Sequence, residues 1–149
     1  MFMSAAMQCG TPRNFRRWRP MRAASSGATS STGLGIGPTM VASLYSIPAV
    51  ASVGMTEAKA REQGLRIRVH VNDMQGWFSA RTYAEAVAWS KIIVDESTDR
   101  IVGAHLVGHA GEELVHIFAL AMKHGITARG LSEMVYGFPT FSADIRNMM

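Results

Sequence analysis

Between Ser90 and His124 the chain places two runs of β-branched residues five residues apart and follows them at once with a long apolar helix pattern. Ser90-Lys91-Ile92-Ile93-Val94-Asp95 and Ile101-Val102-Gly103-Ala104-His105-Leu106-Val107 have the composition of strands, and Glu96-Ser97-Thr98-Asp99-Arg100 that of a turn. So short a link permits only antiparallel pairing. The helix expected over Ala110–His124 carries Glu112 and Glu113 in its first turn, Lys123 and His124 in its last, and Gly125 as its stop, each charge placed as the helix dipole favours. Its middle is apolar nearly all round. Leu114, Val115, Ile117, Phe118, Ala121 and Met122 cover more than a one-face stripe, so one side should pack on the sheet and another on a subunit partner.

Upstream, Leu44 to Gly54 is a β-prone run whose Pro48 confines it to an edge or irregular strand. Thr56 is a good N-cap for a helix over Glu57-Ala58-Lys59-Ala60-Arg61-Glu62-Gln63, and Gly64 stops it. Leu65-Arg66-Ile67-Arg68-Val69-His70-Val71 alternates apolar with polar, which gives a strand with one dry face and places Arg66, Arg68 and His70 on the wet one. That wet face reads as solvated rather than as an anion site. Asn72–Ala80 is loop-like, and Arg81–Trp89 fits either strand or short helix, since Tyr83, Val87 and Trp89 alternate while Ala84-Glu85-Ala86 favours helix. The sum is an α+β fold: an antiparallel sheet with flanking helices.

A chain of 149 residues is long enough for one domain with a real core. Its charge is unevenly placed. Residues 1–56 hold five arginines and no acid, whereas 57–149 hold ten basic and eleven acidic residues. The pI near 9.7 therefore belongs to the leader, and the nearly neutral remainder argues against a nucleic-acid-binding face. The single cysteine, Cys9, excludes an intramolecular disulfide, and no apolar run reaches the roughly 20 residues of a membrane span. Residues 1–40, with Arg13, Arg16, Arg17, Arg19 and Arg22 followed by the Ser-, Ala- and Gly-rich Ala23–Thr32, read as a disordered basic leader or as translated sequence from a truncated or frame-shifted gene. An Arg-rich, acid-poor leader also admits a mitochondrial transit peptide as the minor alternative to a cytoplasmic protein, whereas twin-arginine export fails for want of an apolar core. Residues 41–149 form the folded domain.

Two tempting motifs carry little. Gly33-Leu34-Gly35-Ile36-Gly37-Pro38 has proline where a dinucleotide loop needs its third glycine and no strand before it, so it reads as a linker. His105 and His109 are four apart but on different elements. Glu112 and His116 have i, i+4 spacing on the helix, yet a surface hydrogen-bonded pair explains them, and no metal site is expected.

An ordered set of short segments then points to a family. Pro48-Ala49-Val50-Ala51-Ser52-Val53-Gly54-Met55-Thr56-Glu57 matches a Pro-x-x-Ala-x-Val-Gly-x-Thr-Glu pattern; Lys91–Asp95, Ile101–Gly108, Gly111-Glu112-Glu113-Leu114, Leu120-Ala121-Met122, Gly125-Ile126-Thr127, Leu131 and Pro139-Thr140 follow in order. Together they resemble the C-terminal interface (dimerisation) domain of the FAD-dependent pyridine nucleotide-disulfide oxidoreductases, the glutathione reductase and dihydrolipoamide dehydrogenase group, over Leu44 to Met149. The resemblance favours strand for Arg81–Trp89. It implies a homodimer and a parent enzyme whose FAD- and NAD(P)-binding domains precede this one, with no cofactor bound to the isolated chain.

The same resemblance implies where catalysis has departed. Typical members carry His-Pro-Thr and then Glu near the C-terminus, the histidine exchanging a proton with the redox thiol and the carboxylate orienting it. Here those positions are Phe138 and Ala143, neither of which titrates, and the adjacent Asp144 has no imidazole in this segment to orient. Tyr136-Gly137-Phe138-Pro139-Thr140-Phe141-Ser142-Ala143-Asp144-Ile145 instead resembles a Tyr-Pro-Thr-Phe-Ser-x-Asp-Ile ending in members that look like flavin-dependent NAD(P)H oxidoreductases of unassigned electron acceptor. The expectation is a dimerisation domain in which Phe138 and Pro139 face the partner's flavin, and Val115, Phe118, Met122, Tyr136, Phe138, Pro139, Thr140 and Phe141 form the interface. The alternative is a stand-alone homodimeric interaction module without catalysis.

Overall fold

The structure is a computed structural model, and it describes residues 41–44 and 46–149. The leader and the Gly33–Pro38 segment lie outside the described residues. Five strands form one antiparallel sheet: β1 (Val41–Leu44), β2 (Val50–Gly54), β3 (Ile67–Asp73), β4 (Trp89–Asp95) and β5 (Arg100–Val107), in the order β1-β2-β5-β4-β3. Helix α1 (Glu57–Glu62) follows β2, α2 (Phe78–Thr82) follows β3, and α3 (Gly111–His124) and α4 (Ala128–Ser132) follow β5. A 3₁₀ helix over Phe141–Asn147 ends the chain.

The β4–β5 hairpin lies at the centre of the sheet, as its sequence requires. Its turn is held by Asp95, which has almost no exposed surface. Asp95 Oδ1 accepts from the backbone N–H of Ser97 at 3.0 Å and Oδ2 accepts from the Thr98 hydroxyl at 2.6 Å, while the Ser97 hydroxyl reaches both oxygens. The Thr98 hydroxyl, and then the Ser97 donors, hold the Asp95 carboxyl below the usual carboxylate range, against the opposing effect of burial. One residue on, Asp99 joins three elements. Its Oδ1 accepts from Arg68 of β3 at 3.1 Å, its carbonyl from Ala128 N at 2.8 Å, and its Oδ2 from Arg129 N at 3.0 Å. Arg66, just before β3, likewise meets Glu96 at 3.4 Å, so both arginines of the expected wet face have carboxylate partners. Arg68 also donates to His70 Nε2 at 3.0 Å; burial and then the Arg68 charge lower the His70 pKa, keeping the ring neutral and able to accept.

Ile92, Ile93 and Val94 alternate between the faces of the sheet and are all fully buried, because both faces are covered at this point. Ile92 and Val94 join the main core beneath α3, with Val53, Leu106, Leu114, Val115 and Phe118, while Ile93 joins Met55, Ala60 and Val102 beneath α1. Helix α1 is capped as its sequence indicates, with Thr56 Oγ1 accepting from Lys59 N. Helix α3 ends on Gly125 at φ +68°.

Two expectations are corrected. Pro48 does not sit in an edge strand; it lies in the connection between two strands that pair with each other. Of the two, β1 is an edge of the sheet, and proline-free β2 takes neighbours on both sides, β1 and β5. Arg81–Trp89 is not a strand pair either. Helix α2 runs to Thr82, Ala84 turns the chain at φ +51°, and β4 starts only at Trp89. The apparent alternation came from Tyr83 and Val87, which are both exposed and belong to no strand.

Two measurements follow from these contacts. Because the Asp95 pKa is depressed on folding, its stabilisation is fully present above the unfolded value near 4 and is lost as pH falls through the lower folded value. Asp95→Asn should therefore cost about 1–3 kcal/mol in urea unfolding at pH 7, with the gap to the parent chain closing as pH falls below about 4; an equal gap at pH 3 and pH 7 would contradict this. Gly108, at φ +66°, has no room for a side chain: an added Cβ would stand 2.1 Å from the Val87 carbonyl oxygen. Gly108→Ala should destabilise the chain by at least about 2 kcal/mol, read as a drop in the urea midpoint.

Candidate functional site

The C-terminal segment builds an aromatic shelf. Helix α4, capped by Thr127 Oγ1 accepting from Gly130 N at 2.9 Å, ends near Tyr136, whose hydroxyl donates back to the Leu131 carbonyl at 2.9 Å. Burial pushes the Tyr136 pKa up, with the Arg146 charge working against it. Thr140 closes the next turn: its hydroxyl donates to the Gly137 carbonyl at 2.6 Å and accepts from Ala143 N at 3.1 Å, which starts the 3₁₀ helix. Between these anchors Phe138 is held outward, 77% exposed, against the ring of Phe78 on α2 at 5.7 Å. Phe141 turns inward and meets Tyr83 at 5.0 Å. Phe78, Ser79, Thr82, Tyr83, Pro139, Thr140 and Phe141 enclose a small cavity of about 80 Å³.

Behind Phe141 lies a polar group that the sequence does not announce. The chain leaves β5 through three consecutive positive-φ residues, Gly108, His109 and Ala110 at +66°, +56° and +50°, and this reversal drives the His109 side chain inward until none of it is exposed. His109 Nδ1 lies 2.9 Å from Glu85 Oε2, and Nε2 lies 2.9 Å from Asp144 Oδ2. The His109 backbone N–H donates to the other Glu85 oxygen at 2.7 Å, and the Ser79 hydroxyl donates to Asp144 Oδ2 at 2.5 Å. The rings of Phe141, at 4.8 Å, and Trp77, at 6.0 Å, both stand edge-on to the imidazole. Since both ring nitrogens face carboxyl oxygens, each of these contacts needs a proton, carried either by the ring or by the facing carboxyl group. Asp144 does have an imidazole: it comes from His109, 35 residues earlier in the chain.

His105 and His109, four apart in sequence, do not meet in the structure. His105 Nε2 hydrogen-bonds to the Met55 carbonyl at 3.1 Å on the other side of the sheet from α3. Among the described residues no group of three His, Cys, Asp or Glu side chains is arranged to hold a metal ion. His116 is exposed, and Glu112 keeps one buried oxygen, Oε2, without a partner, so the helical pair does not close.

The interface candidates divide. Phe138, Pro139 and Thr140 are exposed, whereas Tyr136, Phe141 and Met122 are half-buried. Val115 and Phe118 must be removed from the list. Both have no exposed surface, because the α3 face that carries them with Leu114 and Ala121 packs onto the sheet. The apolar residue that α3 leaves outside is Leu120, 54% exposed. Sequence reasoning missed Trp77, Phe78, Ser79, Tyr83 and Glu85, which a loop-or-strand reading of 72–89 left scattered; the aromatic spacing of Trp77, Phe78 and Tyr83 across a short helix was the available signal.

With this geometry in place, comparison with known proteins is informative. Residues 40–149 match the family described as pyridine nucleotide-disulphide oxidoreductase, dimerisation domain. A 19.7 kDa protein of the mercuric resistance operon of Staphylococcus aureus is 36% identical over 112 residues, which cover 75% of this chain and 62% of that protein. Dihydrolipoyl dehydrogenase of Chlorobaculum tepidum is 34% identical over 109 residues, 73% of this chain and 23% of the enzyme. Among solved structures, the HOCl-induced flavoprotein disulfide reductase RclA of Escherichia coli superposes with a TM-score of 0.71 at 28% identity, over 74% of this chain and 25% of that one. The chain thus spans less than two-thirds of the length of these relatives. No helix among the described residues is long and apolar enough to cross a membrane. The sheet order, the α3 packing and the matched span together assign the chain to the pyridine nucleotide-disulphide oxidoreductase family, in which it corresponds to the dimerisation domain.

Proposed function

We propose that this domain supplies the subunit interface of a homodimeric, FAD-dependent NAD(P)H oxidoreductase and forms the partner-side wall of its flavin site. The observation that carries the reading is the outward-held Phe138, backed by Phe78 and Pro139, at the position where typical members place their acid–base histidine. Exposed aromatic residues anchored on a rigid base are the side chains that protein interfaces favour.

The described residues suit FAD as a wall and not as an anchor. A dinucleotide needs converging backbone N–H groups for its pyrophosphate, yet the first turn of α3, the longest helix, carries Glu112 and Glu113, which oppose a phosphate. FAD supplies the electron chemistry when bound to its own domain; this chain would exclude water from the flavin edge with Phe138 and fix that edge through the Thr140-braced backbone. FAD- and NAD(P)-binding domains are accordingly the proposed partners, besides a second copy of the chain.

Sedimentation equilibrium of the whole chain tests the interface. A concentration-dependent dimer is expected, with Phe138→Glu weakening association by about tenfold or more and leaving thermal unfolding of the monomer nearly unchanged, because Phe138 is mostly exposed. A chain that stays monomeric at high concentration, or a dimer indifferent to Phe138→Glu, would refute this placement of the interface.

A further inference from the structure

We propose that Ser79, Asp144 and His109 form a buried proton store that exchanges a proton with whatever occupies the cavity between Phe78, Tyr83 and Phe141, replacing the acid–base histidine whose position Phe138 holds. The family pattern predicts a loss of function at Phe138 and Ala143. The structure instead places a fully buried imidazole and two carboxyl groups directly behind the same segment.

The row is continuous. Ser79 lines the aromatic cavity, and its hydroxyl donates at 2.5 Å to Asp144 Oδ2, which is 2.9 Å from His109 Nε2; Glu85 holds the far nitrogen at 2.9 Å. Glu85 and His109 in turn line a second, larger cavity of about 340 Å³ with Pro48, Val87 and Glu112. Each link is of hydrogen-bonding length. The titratable groups facing the unit are Glu85, Asp144, Glu112 across the second cavity, and Tyr83 through its stacking on Phe141; among the described residues no lysine or arginine pairs with Glu85 or Asp144.

In the acid direction the Nε2 proton passes to Asp144 Oδ2, Asp144 passes a proton to Ser79 Oγ, and Ser79 gives its own hydroxyl proton to a basic atom in the cavity. The ring is left neutral, keeping its Nδ1 proton in the hydrogen bond to Glu85, and Ser79 is again a hydroxyl. The base direction reverses each transfer. One proton crosses, no electrons move and no covalent intermediate forms. Ser79 is the group that touches the ligand; Asp144 and Glu85 are positioning residues that hold the ring and its charge. A clamp with a purely structural role would need the His109 contacts but not Ser79 at a cavity wall.

Only the identity of the cavity's occupant depends on the reading of the preceding subsection, because the proton path is a property of this chain alone. The test is hydrogen exchange at the His109 ring, followed by ¹⁵N-detected NMR on the whole chain without flavin. In the unmodified chain the Nε2 proton should exchange at least about tenfold faster than the core amides of Ile92 and Phe118, which open only with global unfolding. Ser79→Ala should slow Nε2 exchange by about tenfold or more, since one hydrogen-bonded step is removed, while the urea midpoint shifts little. An Nε2 proton that exchanges no faster than those core amides, or one indifferent to Ser79→Ala, would overturn the proposal. A failed dimer test would leave this result standing, and a failed exchange test would leave the dimer standing.

Discussion

One imidazole between two carboxylates sets the arrangement of the C-terminal third of this domain. His109 connects four segments that are separate in sequence: α2 through Ser79, the turn before β4 through Glu85, the β5–α3 reversal through its own backbone, and the terminal 3₁₀ helix through Asp144. A buried polar group of this kind adds little net stability over an apolar replacement, because desolvation consumes most of the attraction. What it enforces is geometry, since an arrangement that pulls either carboxyl group from the His109 ring leaves a buried polar atom without water or partner. Phe141 lies edge-on to the ring, and Pro139 and Thr140 precede it, so the orientation of the aromatic shelf follows from the position of the histidine.

That dependence also explains which features could be read from the sequence. The β4–β5 hairpin, α1 with its Thr56 cap and α3 with its Gly125 stop are all dictated by neighbours within a few residues, and the structure reproduces them, whereas the alternation of β3 holds only through Val69, since His70 is half-buried and Val71 exposed. Segment 78–88 could not be read that way. Its helix is barely more than one turn, its apparent strand pattern comes from exposed Tyr83 and Val87, and its buried members, Ser79 and Ala80, were selected by contacts far away in the chain. The same holds for Val115 and Phe118. An all-round apolar helix does not say which of its faces meets the sheet, and that is set by contacts with residues distant in the chain, such as Val53, Ile92 and Leu106. The Glu85–His109–Asp144 set escaped for a further reason: His109 reaches its pocket through positive-φ backbone that no glycine at positions 109 and 110 advertises.

The family relationship and the altered terminal segment are compatible once architecture and chemistry are separated. The fold needs a sheet backed by α3 and a tail that returns across α2. It does not need histidine at position 138. With phenylalanine at 138 the outer layer of the segment is an apolar surface, while the polar group of Glu85, His109 and Asp144 lies one layer inward.

The tail's attachments also fix an order of events. Ser79 meets Asp144 across 65 residues of sequence, and Asn72 donates to the Met148 carbonyl at 3.0 Å across 76, the two longest of these polar spans. Loop closure over such lengths gains nothing until the sheet that carries Asn72 and the helix that carries Ser79 already stand. A chain emerging from the ribosome therefore completes its hairpins and α3 before the aromatic shelf exists. The shelf is therefore the part of the domain whose shape depends most on segments distant in the chain, and it is complete only once the tail has docked on α2.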